Sequence, residues 1–184
     1  MEKRYLIRRL EASDCKDVIT NYYTYFKELK DNPTFGLTLY RKKPSYKSEL
    51  AWFRSLQKDI KKDAIFVSVA EVNGKVVGLC EVRCERKGSE SDHIGTLGIA
   101  IIKRYRGIGI GRALMEDIIN KSKNKYEMLK LAVFSNNISA ERLYIDLGFK
   151  RYGLLKNSIK RKGRYFSEDL MCLNLRHLQK KRAR

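Results

Sequence analysis

Two short runs hold the residue types that can do chemistry. The first is Arg104-Tyr-Arg-Gly-Ile-Gly-Ile-Gly-Arg112. Its alternate glycines, Gly107, Gly109 and Gly111, remove Cβ atoms, so a ligand can approach the main chain closely. The run leads into an amphipathic segment bearing Ile110, Leu114 and Ile118. The free N–H groups of that helix start would point at the ligand and favour an anion by about 0.3–2 kcal/mol per charge. Arg104, Arg106 and Arg112 are charge-assisted donors suited to phosphate. A dinucleotide fingerprint counted from Gly107 fails, because Arg112 stands where the last glycine belongs, and the Gly-Lys-Ser/Thr of a nucleoside-triphosphate loop is absent. Taken alone, the run also reads as a glycine-rich turn that merely lets helix and strand pack tightly.

The second run is Asn137-Ile-Ser-Ala-Glu-Arg-Leu-Tyr-Ile-Asp-Leu-Gly-Phe149. Asn137 opens a helix, and Tyr144, seven residues on, falls two turns along on nearly the same face. Ala140 between them leaves room for a narrow, extended ligand, and Gly148 suits a left-handed helix end. Alone, Tyr144 also reads as a core aromatic with a satisfied hydroxyl.

The elements that must position these runs follow from periodicity. Residues 5–9 read as a short strand, and Asp14 or Ser13 can cap a helix whose apolar side includes Val18, Tyr22, Phe26 and Leu29. Pro33 and Pro44 bracket a loop. A second helix is expected over 48–61, with Trp52, Phe53, Leu56 and Ile60 inward. Residues 64–72, Asn73-Gly74 and residues 75–84 spell a β-hairpin, since a type I′ turn needs positive φ at both central residues. A central strand (93–102), a helix (109–123), a strand (129–134), a helix (138–147) and two closing strands (151–159 and 165–175) complete a mixed α/β domain.

The chain has 184 residues and a net charge of +19, which suits polyanionic partners: a phosphorylated cofactor, nucleic acid or a membrane surface. No apolar run is long enough to span a bilayer, and the first ten residues lack the apolar core of a signal peptide, so a cytoplasmic location is expected. Four scattered cysteines fit reduced thiols. Neither they nor the two histidines have ligand spacing, so no metal is expected. Seven basic residues and no acid between 150 and 164 leave a nucleic-acid or ribosome contact open.

Together the two runs resemble the GNAT N-acetyltransferase superfamily: strand, Arg106-x-x-Gly109-x-Gly111, helix, strand, then Asn137-x-x-Ala140-x-x-Leu143-Tyr144-x-x-x-Gly148-Phe149, in the family's order and spacing. The Glu49-x-x-Trp52-Phe53 helix and the strand over 165–171 look like members acting on small amines or amino acids. The resemblance implies a GNAT acyl-CoA N-acyltransferase fold, a mixed sheet of about seven strands flanked by about four helices, over residues 4–176, with a basic tail over 177–184. It implies acetyl-CoA as co-substrate and an amine acceptor, in a monomer or homodimer off the membrane. The strand before the loop would splay from its neighbour, with the backbone of Ile99, Ala100 and Ile101 on the pantetheine arm. Arg106 and the backbone of Gly107, Ile108, Gly109, Ile110, Gly111 and Arg112 would hold the pyrophosphate. Asn137 would bond the pantetheine, and Tyr144 would be the general acid toward the leaving thiolate. A base or a water relay is expected, with Glu81, His93 and Glu71 as candidates; several relatives carry a glutamate where Ala132 stands, and that departure leaves the base unassigned. Glu81 also reads as a salt-bridge partner of Arg83, and His93 as a strand-start residue without a role. The acceptor pocket would come from residues 33–52 and the hairpin over 156–165. The alternative is a non-catalytic basic module, bound to nucleic acid or the ribosome, on the same fold.

Overall fold

In the computed structural model, residues 5–176 are described, and the expected tail over 177–184 lies outside them. The elements run β1 (Leu6–Arg9), α1 (Cys15–Asp31), α2 (Tyr46–Lys61), β2 (Ile65–Val72), β3 (Lys75–Cys84), β4 (Ile94–Ile101), α3 (Ile110–Ser122), β5 (Met128–Phe134), α4 (Ile138–Asp146), β6 (Lys150–Arg161) and β7 (Arg164–Asn174). The seven strands form one sheet in the order β1-β2-β3-β4-β5-β7-β6. The expected fold class holds.

Local chemistry explains most boundaries. Asn73 and Gly74, at φ 51° and 71°, make the β2–β3 turn, and Lys162 and Gly163 repeat that geometry between β6 and β7. Ser45 caps α2 by accepting from the Ser48 amide at 3.1 Å. The expected cap of α1 differs. The Asp14 carboxylate turns back to accept from the Glu11 amide at 2.8 Å and takes two Arg8 nitrogens at 2.8 Å each, so it ties β1 to the helix start.

Strand alternation sends side chains to both faces. On one face Val67, Val69 and Val76 pack with Val18 of α1 and Phe53 and Leu56 of α2. On the other, Val77, Val82 and Leu97 meet Ile110, Leu114, Met115 and Ile118 of α3, each of these four fully buried and contributing about 1.5–3 kcal/mol. Trp52, expected inward, is 39% exposed.

One irregularity matters most. β4 and β5 pair in parallel for three residues only, Ile94 to Thr96 against Met128 to Lys130. Beyond them β4 stays bonded to β3 as far as Ile101, and β5 stays bonded to β7 as far as Phe134. The two strands therefore part like a wedge. Half of the backbone groups of 97–101 face the gap without a strand to receive them.

Candidate active site

A cleft of about 750 Å³ fills the wedge. Its floor is residues 97–101 of β4 and 131–134 of β5, and its end is the loop before α3. Within that loop the Gly/Ile alternation separates two tasks. Gly107, Gly109 and Gly111 line the cleft, whereas Ile108 packs on the core and Ile110 is completely buried. Gly109 sits at φ 91°, a region costly for residues with a Cβ. The N–H groups of residues 107–112 find no carbonyl or side-chain partner among the described residues, and no side chain caps the helix. Those donors face an open cleft, the arrangement an anion requires.

Of the three arginines, Arg106 and Arg112 line the cleft and Arg104 does not. Arg106 grips Glu28 of α1 through both terminal nitrogens, at 2.5 and 2.8 Å, and its Nε donates to the Ile101 carbonyl at 2.8 Å. Its amide bonds Lys103. Arg106 therefore fastens the loop to α1, and its donors are already engaged. Arg112 lines the cleft and pairs with Asp146 at 2.7 Å. Both partners are about half exposed, so that pair is worth at most about 1 kcal/mol and a phosphate can displace it. Arg104 lies over the Tyr105 ring, away from the cleft lining.

Asn137 and Tyr144 both reach the cleft. Asn137 caps α4 with Oδ1, which accepts from the Ala140 amide at 3.3 Å, and this leaves its NH₂ as a donor. Tyr144 is 7% exposed, with its ring tilted at 56° to that of Phe149 and the centroids 6.0 Å apart. Its hydroxyl makes no hydrogen bond among the described residues. Burial, with Cys80 beside it, pushes the phenol well above its usual range, so it stays protonated.

A strap over residues 33–38 crosses the cleft. Arg161 of β6 donates to the carbonyls of Pro33 (3.0 Å), Phe35 (2.6 Å) and Leu37 (2.8 Å), with its guanidinium over the rings of Phe134 and Phe166. A Cβ on Gly36 would stand 2.7 Å from Asn137 Nδ2, so a larger residue there would push the Asn137 amide aside. Beyond the strap lies a second cavity of about 320 Å³, which shares Gly98, Ile99 and Ala100 with the cleft.

The three expected bases separate here. Glu81 pairs across the sheet with Gly98, where the two cavities meet. One of its oxygens accepts from Arg83 at 2.6 Å, and the other is buried without a partner. His93 precedes β4, six residues and about 20 Å of extended chain from Ile99. Its Nδ1 contacts the Glu90 carbonyl, and it lines neither cavity. Glu71 accepts from Arg8 on the β1 side of the sheet. Of the three, only Glu81 lines a cavity. Among the described residues, no three His, Cys, Asp or Glu side chains gather as a metal site.

A model of the acetyltransferase (GNAT) family matches residues 26–149. The chain belongs to that family. Among curated relatives of this GNAT chain, an N-alpha-acetyltransferase of Sulfurisphaera tokodaii is 37% identical over 98 residues, 48% of this chain and 59% of the relative. An L-amino acid N-acetyltransferase of Escherichia coli is 30% identical over 106 residues, 56% and 65% respectively. The chain thus matches less than two thirds of either relative's length. The yncA protein of Salmonella typhimurium, solved with its cofactor acetyl-CoA, superposes with a TM-score of 0.77 at 22% identity, covering 93% of this chain and 94% of that one.

One residue of this GNAT site was not apparent from sequence. Arg161 stood in a basic run with nothing to single it out. The expected acceptor hairpin over 156–165 gives no lining residue to the second cavity and acts through this one arginine instead. Glu49 did leave a signal: it lies four and seven residues before the inward Phe53 and Leu56, a carboxylate on an apolar stripe.

Proposed function

We propose that the protein transfers the acetyl group of acetyl-CoA to a primary amine by direct attack in a ternary complex. The observation that carries this reading is the set of unpartnered amides over 107–112, opening into the same cleft as the unpaired edge of β4 and the Tyr144 hydroxyl. A module that only bound nucleic acid would need none of these three.

The assignment of roles follows. The amides of 107–112 hold the diphosphate, helped by Arg112. The free edge of 97–101 and the Asn137 NH₂ hold the pantetheine arm as a strand would be held. The acceptor enters from the second cavity and meets the thioester beside Gly98. Its nitrogen bonds to the carbonyl carbon, and a β4 N–H directed into the wedge stabilises the developing oxyanion. The carbon–sulfur bond then breaks, and sulfur leaves with the Tyr144 proton. The amine proton departs past Glu81 through water, and Tyr144 is reprotonated from solvent.

Magnitudes fix the demanding step. Ordinary phenol and thiol acidities make the Tyr144 transfer uphill by about 2 kcal/mol. Burial of the phenol raises that figure, but the leaving thiolate, desolvated in the same cleft, is raised too. Keeping a lysine-like amine neutral at pH 7 costs roughly 4.6 kcal/mol, so the amine side dominates. We place the enzyme in the cytoplasm, on the support of four cysteines that are all free. No helix among the described residues is long and apolar enough to cross a membrane.

Isothermal titration with acetyl-CoA tests the reading directly. Absence of heat at roughly millimolar ligand, a binding free energy weaker than about 4 kcal/mol, rejects it. Release of free CoA across a panel of amines then tests turnover.

A further inference from the structure

The second cavity is walled by side chains. Tyr22, Tyr40 and Trp52 supply aromatic surface, and its charged lining is Glu49, Glu81 and Arg83. Arg83 is committed to Glu81 at 2.6 Å. Two carboxylates against one guanidinium leave the lining negative, inside a protein of net charge +19. The surplus resides on Glu49. This residue is only 7% exposed, its side chain lines the cavity, and its carboxylate has no hydrogen bond or ion pair among the described residues. Buried charges are ordinarily paired, so an unpaired one that faces a cavity is matched to a cation arriving there. Aromatic faces around it suit both an apolar body and an ammonium group. No uncommitted cation among the lining residues could receive a carboxylate.

We propose that this cavity is the acceptor subsite for a primary amine carried on an apolar or aromatic body, with no carboxylate beside the amine, and that Glu49 holds its ammonium. The proposal rests on the acetyl-transfer reading for its consequence, but the binding it describes is measurable without turnover. Trp52 is the single tryptophan of the chain and lines this cavity, so its emission reports occupancy.

Phenethylamine, phenylalanine and aspartate are therefore titrated into the full chain, without acetyl-CoA, while Trp52 emission is followed. Phenethylamine gives a saturable change, phenylalanine binds at least about tenfold more weakly, and aspartate gives none. Glu49→Gln weakens phenethylamine at least about tenfold, and Glu49→Asp less so. Acetyl-CoA affinity by calorimetry stays within about twofold in both variants, which shows that they are folded. Equal or tighter binding of phenylalanine or aspartate overturns the proposal. So does unchanged phenethylamine affinity in Glu49→Gln, or the lack of any Trp52 response. Loss of acetyl-CoA binding in the parent protein overturns the acetyl-transfer reading instead, and the Trp52 titration still decides what the cavity takes.

Discussion

The two cavities meet along Gly98, Ile99 and Ala100, yet they are made of different material. The cleft presents main chain: uncapped amides at the start of α3, the bare edge of β4, and glycines where side chains would intrude. The second cavity presents side chains from α1, α2, β3 and the loop between the two helices. Backbone donors suit a ligand part that never changes, because a peptide group offers the same chemistry whatever residue carries it. Side chains suit a part that differs from one relative to the next, because one substitution resets shape and charge.

The largest expected effect tests whether the cleft does chemistry as well as binding. Tyr144→Phe lowers kcat by about 10²-fold and leaves acetyl-CoA affinity within about twofold, as single-turnover rates and calorimetry would show. Equal turnover in the two proteins removes Tyr144 from the acid role. Next comes the main-chain grip. Gly109→Ala forces a Cβ into a left-handed position 3.3 Å from the Tyr5 hydroxyl, and should weaken acetyl-CoA roughly tenfold while leaving the Trp52 response to phenethylamine intact. If acetyl-CoA affinity does not move, the amides over 107–112 are not the grip.

Arg161→Lys probes the strap, whose Leu37 lines both cavities. An ammonium cannot serve three carbonyls as a planar guanidinium does, so both ligands should weaken by about three- to tenfold. Loss confined to one ligand would mean that the strap belongs to that cavity alone. The smallest effect separates stability from function. Burial raises the Glu49 carboxyl above its usual range, so the folded state holds that proton to higher pH than the unfolded chain. Stability from the proton is present below the ordinary carboxyl range and is lost as pH rises through the raised value. Glu49→Gln should therefore raise Tm by about 2–4 °C at pH 7, with a smaller gain near pH 4, even as it weakens amine binding. A lower Tm at pH 7 would mean that Glu49 has a stabilising partner.

The contrast between the cavities also explains what could be read early. Asn73-Gly74 announced a turn, and Gly107, Gly109 and Gly111 announced a loop open to an anion, because each signal lies within a few consecutive residues. Arg106 lines the cleft as its loop spacing suggests, but its partner, Glu28, stands 78 positions away on α1 and could not be read from that spacing. Tyr22 was placed among the apolar residues of α1 and instead borders the second cavity, where burial pushes its phenol up to about 12.

Local order in the chain settled the anion loop, the helix that begins with Asn137 and carries Tyr144, and the mixed sheet that presents both. These depend on φ preferences, capping and periodicity, which act over one or two turns. Only the folded chain decided that the expected parting of β4 and β5 falls after Thr96, that Arg161 ties down the strap, and that Glu49 stays unpaired in an aromatic cavity. Each of those depends on which distant side chain fills or leaves a space, and packing between segments far apart in sequence leaves no periodic mark on either one.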